Sequence, residues 1–139
     1  MTKSKQLGDW AEARAAEMIQ NAGFELIQQN YHSRFGEVDI IAQKDDELIF
    51  VEVKARTNSS MGASCEVITS SKQLKIVKTA LIFIDKNPQY LHFYYRFDVI
   101  CFDLSKEFAK NLQQDFSQMA YDQQWIENAF TINADLINL

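Results

Sequence analysis

At 139 residues the chain has the length of one domain, long enough to bury about two-thirds of its unfolded surface without metal or disulfide staples. Apolar residues at 47% and charged residues at 24% exclude a disordered chain, and 4 Gly with 1 Pro exclude collagen-like or linker character. A net charge of −5 excludes a uniformly basic clamp for nucleic acid.

The charge is unevenly spread: residues 104–139 hold 2 Lys against 5 acidic residues, whereas residues 1–103 hold 12 basic and 14 acidic residues. No apolar run is long enough to span a bilayer, and the opening MTKSKQLGDWAEARAAEMI lacks an apolar leader core. The expectation is a cytoplasmic protein with no membrane partner. Cys65 and Cys101 form neither a disulfide framework nor a zinc spacing, and read as reduced structural thiols.

In chain order, Ala11, Ala15, Met18, Ile19 and Ala22 recur at helical spacing, which predicts a helix over 9–22 with Asp9 as N-cap and Gly23 as stop. FELIQQNY (24–31) reads as a short strand. Arg34-Phe35-Gly36 is a turn signal. GEVDIIAQ (36–43) and LIFVEVKART (48–57), separated by the polar turn KDDE (44–47), predict an antiparallel hairpin. Residues 58–69 read as a loop. Leu74, Val77, Leu81 and Ile84 give a helix its apolar stripe over 70–86, with Lys72, Lys75 and Lys78 on a neighbouring face and Asn87-Pro88 as terminator. YYRFDVICFD (94–103) is a further strand, and WIENAF (125–130) a short final element. The elements predict one α/β domain over 1–139, a mixed sheet flanked by helices, with its core at about 7–103 and a tail at 104–139.

Strand alternation makes a sharper statement. It puts Ile49, Val51, Val53 and Ala55 on one face, and Phe50, Glu52, Lys54 and Arg56 on the other. In the preceding strand it puts Val38, Ile40 and Ala42 on one face and Glu37, Asp39 and Ile41 on the other. With matched faces, Asp39 meets Glu52 and Lys54 across about 5 Å. Two carboxylates that close repel unless a cation intervenes. Mg²⁺ (or Mn²⁺) suits them, since it takes oxygen ligands and keeps several waters. A cross-strand salt bridge explains the same residues without chemistry.

GEVDIIA (36–42) followed by IFVEVKAR (49–56) resembles the YraN-like family of predicted nucleases, which is similar to Holliday-junction resolvases of the PD-(D/E)XK superfamily. LGDWAEARAAEMIQNAGFELIQQN (7–30), TSSKQLKIVKTA (69–80), RFDVI (96–100) and WIENAF extend the resemblance over most of the chain. Only 104–124 finds no counterpart.

The resemblance implies a restriction-endonuclease-like fold with a mixed sheet of four or more strands, and a metal-dependent endonuclease acting on DNA, branched or structured DNA included. Asp39, Glu52 and Lys54 fall on the catalytic Asp, Glu and Lys, and Glu12 on a helix glutamate that assists the metal. Here Trp10-Ala11 precedes Glu12, where the family's helix carries Gly-Glu. Asp39, Glu52 and the Val53 carbonyl are the expected metal ligands. Lys72, which falls on the family's Lys, Arg56 and Arg34 are the expected nucleic-acid contacts. Resolvase-like relatives act as dimers, so a homodimer is the matching assembly. The competing readings are a capping box for Asp9 and Glu12, a solvated face for the lysines, a salt bridge for Arg56, and a non-catalytic binding or protein-interaction module on the same fold.

Overall fold

The computed structural model describes residues 3–57, 68–104 and 121–131. The first helix, α1, spans Lys3–Asn21. It begins six residues before the predicted start, so Asp9 is no cap and the capping box does not form. Asp9 lies inside the helix and pairs with Lys5 one turn back, Nζ to Oδ2 at 3.3 Å. The helix runs through Gly8, whose position is open on the outside. An interior glycine costs about 0.5–1 kcal/mol relative to alanine. The stop is as read. Gly23 has φ +96°, its N–H donates to Gln20 O, and the Phe24 N–H reaches back to Ile19 O. That pair of bonds is a Schellman ending, and only glycine adopts its conformation without strain.

Four strands follow in the predicted places: β1 (Glu25–Ser33), β2 (Gly36–Lys44), β3 (Glu47–Thr57) and, after helix α2 (Ser70–Lys86) and a single 3-10 turn at Pro88–Tyr90, β4 (Tyr94–Leu104). The tail is not separate from the core. Tyr121–Phe130 forms β5, ten residues long, and closes the sheet beside β4. The sheet order is β1-β2-β3-β4-β5, with β3 and β4 parallel and every other pair antiparallel. A parallel pair needs a long crossover, and α2 lies within it.

Each face of the sheet is covered by one helix. Ala11, Ala15, Ala16 and Ile19 of α1 pack on Ile40, Ala42, Ile49, Val51, Ile100 and Phe102. The alanines let the helix approach closely. On the other face Ile76, Val77, Ala80, Phe83 and Ile84 of α2 pack on Val38, Ile41, Phe50, Phe97 and Val99. The inner face of α2 is therefore rotated from the predicted stripe: Leu74 and Leu81 are half-buried. The aromatic contacts of Phe83 with Tyr31, Phe50 and Tyr90 set that rotation. Residues 97–104 of β4 are buried without a break, as befits a central strand covered on both sides. Cys101, expected as a reduced thiol, is buried here and disulfide-bonded. Cys65 lies outside the described residues.

One buried acid locks the last strand in place. Asp98 has no exposed surface, and its carboxylate accepts from Arg96 Nε at 2.9 Å, Arg96 Nη2 at 2.9 Å, Trp125 Nε1 at 2.8 Å and the Asn128 N–H at 2.8 Å. Asn128 takes φ +52°, which aims that N–H inward. Removing one member of such a network leaves the others desolvated and unpaired. Asp98→Ala is expected to destabilise the fold by about 3–5 kcal/mol in urea unfolding, and Asp98→Asn by less. A loss below about 1 kcal/mol for Asp98→Ala would mean that the network contributes little.

Candidate active site

β2 and β3 pair from Lys44–Glu47 only as far as Ile40–Val51. Beyond that point β2 stays with β1, through Tyr31–Val38 to Ser33–Gly36, and leaves β3. The alternation read from the sequence breaks at the same place: Ile40 and Ala42 face α1, but Val38 joins Ile41 on the α2 side. Asp39 lies at the break. Its Oδ2 accepts the Val53 backbone N–H at 2.8 Å, so a side chain bridges the two strands where their pairing has ended. Asn30 of β1, at φ +54°, kinks the neighbouring strand near this point. Asparagine is among the few residues that tolerate that conformation.

The separation opens a cleft of about 510 Å³ between the end of the sheet and the first half of α1, and Glu12, Asn30, Glu37, Asp39, Glu52, Val53, Lys54 and Lys72 line it. The predicted quartet of Glu12, Asp39, Glu52 and Lys54 is thus gathered in one place, with Val53 and Lys72. Asp39 and Glu52 are buried to within 8% and 6% of full occlusion, yet border open space. Lys72, in the first turn of α2, places Nζ 2.7 Å from Glu52 Oε1. Thr69 caps that turn by accepting the Lys72 N–H at 3.2 Å. Two of the expected contacts do not line the cleft. Arg56 Nε is held by the buried Asp103 at 3.2 Å, the salt bridge among the competing readings. Arg34 lies at the β1–β2 turn, 4.8 Å from the centre of the Phe35 ring. Asn30 was missed by sequence reasoning; the available signal was an asparagine inside a strand pattern.

Burial pushes the Glu52 carboxyl up to about 7, with the Asp39 charge adding to it, and Lys72 offsets only part of the rise. Glu12 is also pushed up to about 7, first by burial and then by the charge and hydrogen bond of Asp39. Asp39 is raised by burial, against the Val53 N–H, which favours its anion. Lys72 loses some basicity to burial but gains more from Glu52 and Asp39, so its ammonium is reinforced. The outcome is a pocket with surplus negative charge, in which protonated Glu12 and Glu52 donate to Asp39 at low pH.

The fold and cleft define an α/β protein with a five-stranded mixed sheet and two helices, consistent with a restriction-endonuclease-like architecture, and a cluster of buried acids at the point where two strands part. Residues 11–102 match the model of "Uncharacterised protein family UPF0102", and the chain belongs to this family, the YraN family of the resemblance. A UPF0102 protein of Acinetobacter baumannii (strain SDF) is 53% identical over 133 residues, covering 96% of this chain and 100% of that relative. One from Acinetobacter baylyi is 58% identical over 126 residues, covering 91% and 90%. A more distant one from Vibrio parahaemolyticus is 38% identical over 96 residues, covering 69% and 79%. Among the described residues no helix is long and apolar enough to cross a membrane.

The raised acids fix the sign of a pH dependence in the metal-free protein. Folded Glu12 and Glu52 hold protons up to about pH 7, against an ordinary 4.5, so the folded state binds more protons than the unfolded state between those values. Their contribution to stability is full below pH 4.5 and is lost as the pH rises through 7. Glu52→Gln is expected to flatten the fall in melting temperature between about pH 5 and about pH 8 measured in chelator. An identical fall in the variant would contradict this account of the pocket.

Proposed function

We propose that this protein is a divalent-metal-dependent nuclease that hydrolyses phosphodiester bonds of DNA, with branched or structured DNA as the substrate form that the resemblance implies. The observation that carries the reading is the pairing of two buried carboxylates, Asp39 and Glu52, with Lys54 in a cleft open to solvent. Among the described residues no three acidic, imidazole or thiol side chains converge as a metal cage. Mg²⁺ or Mn²⁺ suits a pair of carboxylates, because a hard, well-hydrated cation takes oxygen ligands and needs only one or two of them. Asp39, Glu52 and the Val53 carbonyl would hold it. The surplus of carboxylates over ammonium groups is the charge that such an ion neutralises.

Bound there, the ion supplies Lewis acidity at a phosphoryl oxygen and acidifies a water. The rest falls to the chain. The Lys54 ammonium orients the attacking water and stabilises charge developing on the phosphoryl oxygens. Glu12, beside Asp39 in the cleft, assists the metal ligands. Asp39, which lines the cleft, is held in position by the Val53 N–H. On this reading the protein works in the cytoplasm, and a homodimer would match the two-fold symmetry of a DNA junction.

One observation favours a second reading, a non-catalytic binding module: Lys72 already neutralises Glu52 at 2.7 Å, as in a purely structural ion pair. Calorimetric or thermal-shift titration with Mg²⁺ and Mn²⁺ separates the two. Saturable stabilisation that is lost in Glu52→Ala supports the nuclease. DNA binding that depends on salt but not on metal supports the module. In cleavage assays on duplex, single-stranded and four-way-junction DNA, Asp39→Ala and Lys54→Ala are each expected to abolish metal-dependent product. Wild-type rates in either variant would overturn the assignment.

A further inference from the structure

In a chain of net charge −5, a polyanion can approach the acidic cleft only over a surface where cations are segregated from acids. Five cations are committed to ion pairs among the described residues. Lys5 pairs with Asp9, Arg14 with Glu17, Arg56 with Asp103, Lys72 with Glu52, and Arg96 with Asp98 and Glu47. Arg34, Lys75 and Lys78 make no ion pair among the described residues, and they cluster. The Arg34 guanidinium lies 4.8 Å, and the Lys78 ammonium 4.9 Å, from the centre of the Phe35 ring. Lys75 lies against Gly36, the next residue of the same turn.

The aromatic anchor matters. A carboxylate would hold the two cations by cancelling their charge, whereas a ring face holds them and leaves the charge in place. The turn itself is fixed to α2: Ser33 Oγ lies 2.7 Å from Thr79 Oγ1, and the Phe35 N–H donates to Ser33 Oγ at 3.0 Å. A second hollow of about 270 Å³, lined by Gly36, Glu37, Glu52, Ser71, Lys72 and Lys75, shares Glu37, Glu52 and Lys72 with the main cleft. The cationic face therefore adjoins the carboxylates, with Glu37, Glu52 and Lys72 bordering both hollows. Lys75 to Lys78 covers about 4.5 Å of helix axis. One strand of duplex DNA advances by one phosphate in about 3.4 Å along its axis, so the two lysines are spaced to meet neighbouring phosphates.

We propose that the face formed by the β1–β2 turn and the exposed side of α2 carries the sugar–phosphate backbone of DNA into the cleft, with Arg34, Lys75 and Lys78 contacting successive phosphates and Phe35 positioning two of the three cations. The inference rests on the nuclease reading for its substrate. Its test is equilibrium binding, separate from cleavage. Fluorescence anisotropy of a labelled DNA duplex is followed in chelator over a series of salt concentrations. The double variant Lys75→Glu/Lys78→Glu and the single variant Arg34→Glu are compared with wild type and with Lys86→Glu, the same charge reversal at the far end of α2.

The double variant is expected to bind at least about tenfold more weakly, with the slope of log K against log salt reduced by about 2, since each lost phosphate contact removes about 0.9. Arg34→Glu should reduce the slope by about 1. Phe35→Leu should weaken binding about two- to fivefold, the worth of a released cation–π contact. Lys86→Glu should leave the slope unchanged. Wild-type slopes in the face variants, an equal loss in Lys86→Glu, or no DNA binding by the wild type would each overturn the face. Wild-type cleavage with unaltered binding in the face variants removes the face and leaves the nuclease. Reduced binding in those variants with no cleavage by the wild type under Mg²⁺ or Mn²⁺ keeps the face and removes the nuclease.

Discussion

The bond from the Val53 N–H to the Asp39 carboxylate is the point on which the site depends. Up to Ile40 and Val51 the sheet is held by main-chain pairing, which places residues at fixed intervals and leaves no space between strands. Where β2 departs, the Val53 donor must still be satisfied, because an unpaired buried N–H is costly. A carboxylate satisfies it while keeping a second oxygen for other work. The same side chain thus completes the backbone and lines the cleft.

The electrostatics follow from that placement. Strand separation brings Asp39 beside Glu52, and α1 brings Glu12 beside Asp39. Close packing of α1 through Ala11 and Ala15 makes the second approach possible, since larger side chains would hold the helix, and Glu12 with it, farther from the sheet. Two of these three acids then rise to about 7, although Lys72 touches Glu52. Burial and mutual repulsion outweigh one half-exposed ammonium. A pocket in that condition tends toward protons or toward an external cation.

Stability is supplied elsewhere. The two apolar layers hold the helices to the sheet, and the saturated Asp98 network fastens β5, the strand contributed by the tail. Asp98 and Asp39 are both buried acids in strands, and their surroundings give them opposite roles. Asp98 has the guanidinium of Arg96 and two further N–H donors, and is fully enclosed. Asp39 has one N–H donor and acids for neighbours, and borders open space.

Much of this was legible in the chain itself. Local patterns fix themselves: the strand alternation in Ile49–Arg56, the Gly23 stop and the ending of α2 at Asn87 all depend on residues within a few positions, so the elements could be read directly, and the hairpin they form brings Asp39 to the same cleft as Glu52 and Lys54. Three things could not. The early start of α1 lies in turns that precede the apolar repeat. The break in alternation between Val38 and Ile40 arises because β2 has to choose between two neighbouring strands. The pairing of Arg56 with Asp103 and of Arg96 with Asp98 and Glu47 depends on which strands lie side by side. Sequence determines what each segment is, through the periodicity of its own side chains. Which buried charge finds a partner, and which is left facing a cavity, is decided only when segments distant in the chain are packed together.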